Sequence, residues 1–248
     1  MPDLCGVQLR GPILNASGTF DAIAARRAFG DALLDAFPFD CFVSKTITVA
    51  PRQGNPPPRL WETASGMLNS IGLPNKGLDG FLAHDLPELA RLPVPLCVSV
   101  MGFDSGELAR LVAAVGARPE VALIELNLSC PNVETGVLVG ADPDATAAAV
   151  ERVRAEAELP LIAKLSPNAA DPAAVARAAE GAGADGVSLI NTIRGMALHP
   201  TTREPWLGAR SGGLSGAAVR PVALEQVAAV AAAVEVPVVG MGGVASGR

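Results

Sequence analysis

The stretch 124-IELNLSCPN-132 decides how this chain is read. It begins as an apolar run of strand character. It then carries two carboxamides, Asn127 and Asn132, and a thiol, Cys130, to its end, where Pro131 closes it. A strand tip sealed in a hydrophobic core is a poor place for these groups, because every buried amide must find hydrogen-bond partners. A strand tip that opens onto a polar ligand is a good one.

Working outward, short apolar runs alternate with segments of helical period. Strands are expected over residues 13–17, 41–48, 96–100, 122–129, 161–166, 186–191 and 236–240, and helices over 22–36, 78–91, 105–117, 143–158, 172–182 and 217–234. The runs PVPLCVSV, VALIELNLS, LPLIAKLS and VEVPVVGMGG are almost continuously apolar, as parallel strands covered on both faces require. Repeated strand–helix units point to a parallel α/β architecture. Nearly every expected strand ends in a polar cluster (SGT, SKT, SVMG, NLSCPN, KLSP, NTIRG, GMGG). In a closed barrel all such tips converge on one rim, whereas an open sheet concentrates its site at a single switch point. The expectation is a single-domain (β/α)8 TIM barrel over residues 1–248. Seven strands are found where eight are needed, so the barrel is expected to lack its last strand and helix, unless a strand hides in the two long connections, 49–77 and 193–216. These connections are rich in Gly and Pro and are expected to cover the rim as irregular segments.

Composition narrows the function. Half of the 248 residues are hydrophobic, the mean hydropathy is +0.35 and the net charge is −6. That supports a sizeable core and argues against nucleic acid or anionic membrane as partners. No segment has the length and freedom from charge of a membrane span, and the first residues lack a signal peptide's apolar stretch, so a cytoplasmic protein is expected. The four cysteines, Cys5, Cys41, Cys97 and Cys130, form no C-x-x-C pair, and there are two histidines, so neither a disulfide framework nor a metal centre is expected.

Of nineteen Lys and Arg residues only Lys45, Lys76 and Lys164 are lysine. Lys45 and Lys164 stand near the ends of apolar strands, where a cation needs an anionic partner unless it snorkels to the surface. Since Glu125 is the one acid near a tip, that partner is expected to be the ligand. Cys130 can act as a nucleophile or, ionised, as a base; the other three cysteines are expected to be packed hydrophobes. Asn69 and Asn191 join Asn127 and Asn132 as rim amides, and the glycines of 240-GMGGV-244 could offer backbone N–H groups to a phosphate.

Taken in order, NASGTF, FVSKTIT, PRLWETASGMLNSIGLPN, NLSCPN, KLSP, NTIRGM, SGGLSG and GMGGV resemble the class 1 dihydroorotate dehydrogenases, most closely the class 1B catalytic subunit, over essentially the whole chain. The resemblance implies an FMN-containing barrel that oxidises dihydroorotate to orotate in pyrimidine biosynthesis, with Cys130 as general base. It implies substrate contacts from Lys45, Asn69, Ser70, Ile71, Gly72, Leu73, Asn127, Asn191 and Thr192. It implies FMN contacts from Ser17, Lys45, Thr46, Ser99, Asn127, Lys164, Ile190 and Gly216, with Gly242 and Gly243 at the phosphate. A separate FAD and iron–sulfur subunit would take the electrons, around a homodimeric core or in a heterotetramer. Ser99 departs from the family's usual Asn and Lys76 from its usual Pro. A related FMN barrel acting on another pyrimidine, as in dihydropyrimidine dehydrogenase, and an inactive shortened fragment are the rival readings.

Overall fold

A computed structural model describes residues 1–128 and 139–247. Its centre is a parallel sheet in the spatial order β3 (Phe42–Val43), β6 (Leu96–Val100), β7 (Leu123–Asn127), β8 (Leu161–Lys164), β9 (Gly186–Leu189) and β12 (Val238–Gly240). Sequential strands lie side by side, as in a barrel. A seventh position is held at the β3 edge by the parallel bridge of Leu14 to Cys41, and the Asn15 side chain extends it by donating to the Val43 carbonyl and accepting from the Val43 N–H, both at 2.8 Å. Among the described residues no pairing joins this edge to β12, so the sheet is curled and open. Among the described residues this is the (β/α)8 architecture with no eighth strand and helix.

The outward faces of the strands pack under α5 (Ser105–Gly116), α6 (Pro143–Arg154), α7 (Pro172–Gly181) and α8 (Arg220–Ala231), placing Val98, Val100, Ile124, Leu126, Leu161 and Val187 in the main core. Local sequence fixes where these helices start. Asp142 and Asp171 each accept from the N–H three residues on, at 2.8 and 2.9 Å, and each is followed by Pro at the first helical position. The inward residues Val43, Cys97, Leu123 and Ile162 form a second cluster, closed from below by Leu4 and Leu9. Leu4 lies within, and Leu9 directly follows, the N-terminal hairpin of β1 (Asp3–Leu4) and β2 (Val7–Gln8). The barrel therefore has an apolar floor and one wet end.

Three expectations change in detail. The helix expected over 22–36 divides into α1 (Ala22–Phe29) and α2 (Ala32–Asp35) at Gly30, whose φ is 66°. The helix expected over 78–91 runs as α3 (Gly77–Gly80), a wider π-turn (Phe81–Asp85) and α4 (Leu86–Leu89); Pro87 has no N–H for an ordinary helical bond, and the wide turn precedes it. The third change is larger. The two long connections are not irregular, because they pair with each other. β4 (Leu60–Thr63), β5 (Gly66–Asn69), β10 (Ile193–Gly195) and β11 (Gly212–Ser215) form an antiparallel sheet in the order β10-β11-β5-β4. Its own small core is Leu68, Ala197 and Leu207, with Trp61 and Trp206 4.8 Å apart beside it. It covers the rim as expected, as a second sheet.

Candidate active site at the barrel mouth

A cavity of about 940 Å³ opens at the C-terminal ends of the parallel strands. Of the residues expected to bind substrate or cofactor, it is lined by Ser17, Lys45, Thr46, Asn69, Ile71, Gly72, Leu73, Asn127, Lys164, Ile190, Asn191, Thr192, Gly216, Gly242 and Gly243. Two expected residues stand behind this wall. Ser99 is fully buried and shares a 2.9 Å hydrogen bond with Thr46, while the Ser70 hydroxyl accepts from Asn55 at 2.9 Å. Cys130, with Ser129 and Asn132, lies outside the described residues.

Lys45 and Thr46 are sequence neighbours, and strict strand alternation would send one of them away from the cavity. A bulge resolves this. Val43 is paired with Cys97 and Ile47 with Val100, so the first strand uses one residue more than its partner between those points. The extra residue re-aims the backbone, and both side chains face inward.

The hydroxyl of Thr46 is the hub of a polar chain across the mouth. Its oxygen lies 3.1 Å from Ser17 Oγ and accepts from Asn127 Nδ2 at 3.1 Å. Asn127 Oδ1 accepts in turn from Asn191 Nδ2 at 3.5 Å, and Asn191 Oδ1 accepts from the Thr192 N–H at 2.8 Å. Asn69 reaches the same cavity from the second sheet, anchored by donating to the Gly213 carbonyl at 3.2 Å.

The segment after Asn69 presents backbone. Gly72 and Leu73 both take positive φ, 74° and 54°, and a Cβ on Gly72 would stand 2.5 Å from the Asn55 nitrogen, so only glycine fits there. Within the described residues the N–H groups of Ile71, Gly72 and Leu73 donate to nothing. Successive free amides in such a turn form an anion-binding concavity. The loop is held from outside by residues the sequence did not single out: Asn75 donates to the Leu73 carbonyl at 2.8 Å, and Arg52 donates to Gly72 O at 3.3 Å while its guanidinium lies over Phe103. Nothing in the local sequence distinguishes such props from ordinary loop polars.

Opposite lies a glycine cradle. Gly216, Gly242 and Gly243 have φ of 93°, 121° and 71°, and a Cβ on Gly243 would stand 2.8 Å from the Gly216 carbonyl.

The electrostatics are cationic but balanced. Among the described residues no carboxylate lies within ion-pairing distance of Lys45, and its pKa is held below the ordinary value, first by burial and then by repulsion from Lys164. Lys164 does have a protein partner, contrary to expectation: Glu125 Oε1 is 3.8 Å from its Nζ. The two come together because Glu125 sits two residues before Asn127, the register partner of Lys164 across β7 and β8. The third lysine, Lys76, is half-exposed and paired with Asp85. Burial pushes Cys5 up to about 11 and Cys41 up to about 12, and raises Cys97 too, so these thiols stay protonated and inert.

The family profile of dihydroorotate dehydrogenase matches residues 2–248. The chain belongs to the dihydroorotate dehydrogenase family. It is 46% identical to the dihydroorotate dehydrogenase B (NAD(+)) catalytic subunit of Desulforudis audaxviator, across 99% of this chain and 79% of that protein. Proteins of the same name from Pelobacter propionicus and Listeria monocytogenes are 45% and 42% identical, each across 98% of this chain and 79% of the relative. Membership makes the chain an FMN-dependent oxidoreductase. The cavity suits that cofactor: a buried and a half-buried lysine, planar amides, and Gly216, Gly242 and Gly243 at positive φ line the same space. Among the described residues no helix is long and apolar enough to cross a membrane.

Proposed function

We propose that this chain oxidises dihydroorotate to orotate with FMN held at the barrel mouth, and passes the electrons to a separate FAD and iron–sulfur subunit and thence to NAD. The observation that carries the reading is the convergence, in one cavity, of two lysines, four asparagines, a row of backbone amides that donate to nothing among the described residues, and Gly216, Gly242 and Gly243 at positive φ, from elements distant in the sequence. The relatives' designation as catalytic subunits of an NAD(+) enzyme supports the electron path.

The division of labour proposed here is supported by the side chains that share the cavity. Gly216, Gly242 and Gly243, which line the cavity at positive φ, would receive the cofactor phosphate through backbone N–H groups. Bound FMN supplies the acceptor for the hydride that leaves dihydroorotate C6. Lys164, almost fully buried in the cavity wall, would supply the positive charge that stabilises the electron-rich reduced cofactor. The amides of Asn69, Asn127 and Asn191 offer donors and acceptors in fixed orientations to the planar substrate, and the N–H groups of Ile71 to Leu73 receive its carboxylate. Cys130, three residues beyond Asn127, takes the C5 proton as the C5–C6 double bond forms. Thr46, Ser17 and Ser99 hold the amides in register.

The test is product formation by the FMN-loaded chain with an artificial electron acceptor. Orotate should accumulate from dihydroorotate, and dihydrouracil should not be oxidised. Turnover of dihydrouracil alone would transfer the chain to a different pyrimidine chemistry.

A further inference from the structure

The buried pair of Glu125 and Lys164 is incomplete in a specific way. Glu125 is 3% exposed and Lys164 5%. One carboxylate oxygen, Oε2, accepts from Ser188 Oγ at 3.2 Å. The other, Oε1, is buried without a hydrogen-bond partner and stands 3.8 Å from the ammonium, close enough for attraction and too far for a hydrogen bond. Within the described residues Lys164 Nζ itself donates no hydrogen bond. An ammonium with three donors and one distant carboxylate is held, but not saturated. Its donors remain available to whatever fills the cavity that both residues line.

Glu125 also sets the charge of the floor. Lys45 and Lys164 alone would present two cations to the ligand, and Glu125 leaves a net of about one. Isolated buried charges are strongly unfavourable, so removing either member strands the other.

Resting on the FMN reading above, we propose that Glu125 is a positioning residue: its carboxylate, fixed by Ser188, is the counter-charge that holds the Lys164 ammonium at the cavity floor and moderates how strongly that ammonium favours the electron-rich form of the cofactor. The carboxylate does not touch the substrate and moves no proton.

The test uses the full chain as wild type, Glu125→Gln, Lys164→Met and the double variant. Without cofactor, each single variant should melt below wild type, and the double variant should melt above the less stable single. Additive losses would show that the two residues do not act as a pair and would overturn the proposal. With FMN bound at neutral pH, Glu125→Gln should raise the midpoint potential, shifting the reduced-to-oxidised ratio about tenfold, equivalent to about 30 mV for a two-electron couple. An unchanged or lowered potential would overturn the moderating role, and a purely structural role would leave the potential unmoved. Failure of the wild-type chain to take up FMN would overturn the cofactor reading instead, and the melting cycle would still decide whether the pair exists.

Discussion

Replacing Thr46 by valine deletes one oxygen and keeps the shape of the side chain, so its consequences can be worked out bond by bond. Three groups lean on that oxygen: Ser99 at 2.9 Å, and Ser17 and Asn127 at 3.1 Å each. Ser17 keeps its 2.8 Å bond to the Ser44 carbonyl and loses little. The Ser99 hydroxyl is fully buried and has no other side-chain partner among the described residues, so it is stranded. A stranded buried hydroxyl costs about 1–3 kcal/mol, and the lost Asn127 bond adds about 1 kcal/mol. The expected loss is therefore about 2–4 kcal/mol, or about 4–16 °C in melting temperature for a chain of this size. Urea unfolding of the cofactor-free chain reads it directly. The decisive control is Thr46→Val with Ser99→Ala, which removes both partners of the stranded bond and should recover about half of the loss. A Thr46→Val chain within about 0.5 kcal/mol of wild type, or a double variant as unstable as the summed singles, would refute the hub.

Other outcomes follow from the same geometry. Lys45 binds fewer protons folded than unfolded, because burial and Lys164 depress its pKa below 10.5. Stability should therefore rise with pH from that depressed value up to 10.5, the penalty being fully present below the window. Urea midpoints of wild type should climb there relative to Lys45→Met, and parallel curves would contradict the burial of its charge. Gly243→Ala places a methyl 2.8 Å from the Gly216 carbonyl at positive φ; FMN affinity by fluorescence titration should fall about tenfold or more, a loss of about 1.4 kcal/mol. Cys130→Ala should bind FMN like wild type and lose most turnover at neutral pH, and full turnover would remove the thiol from the mechanism.

What the sequence discloses and what it withholds divide along physical lines. β6 and β8 are legible because near-continuous apolar runs admit few alternatives to a doubly covered strand, and α6 and α7 because Asp-Pro announces their first turn. The mouth is legible as a set of polar tips, and the barrel topology turns that set into one cavity. The bulge that aims both Lys45 and Thr46 inward leaves no trace in FVSKTIT, since an added residue does not change composition. The second sheet escapes because its strands have three or four residues, glycine-rich in β11, and are stabilised by each other across the chain. The Glu125–Lys164 pair escapes for a related reason: it depends on the register of β7 against β8, which periodicity within one strand cannot supply.

The most direct measurement is the anaerobic visible spectrum of the FMN-loaded chain before and after dihydroorotate. Rapid bleaching of the flavin band, abolished by Cys130→Ala, is the predicted result. A band that stays yellow in wild type with excess dihydroorotate would contradict the assignment of this cavity as the site of the reaction.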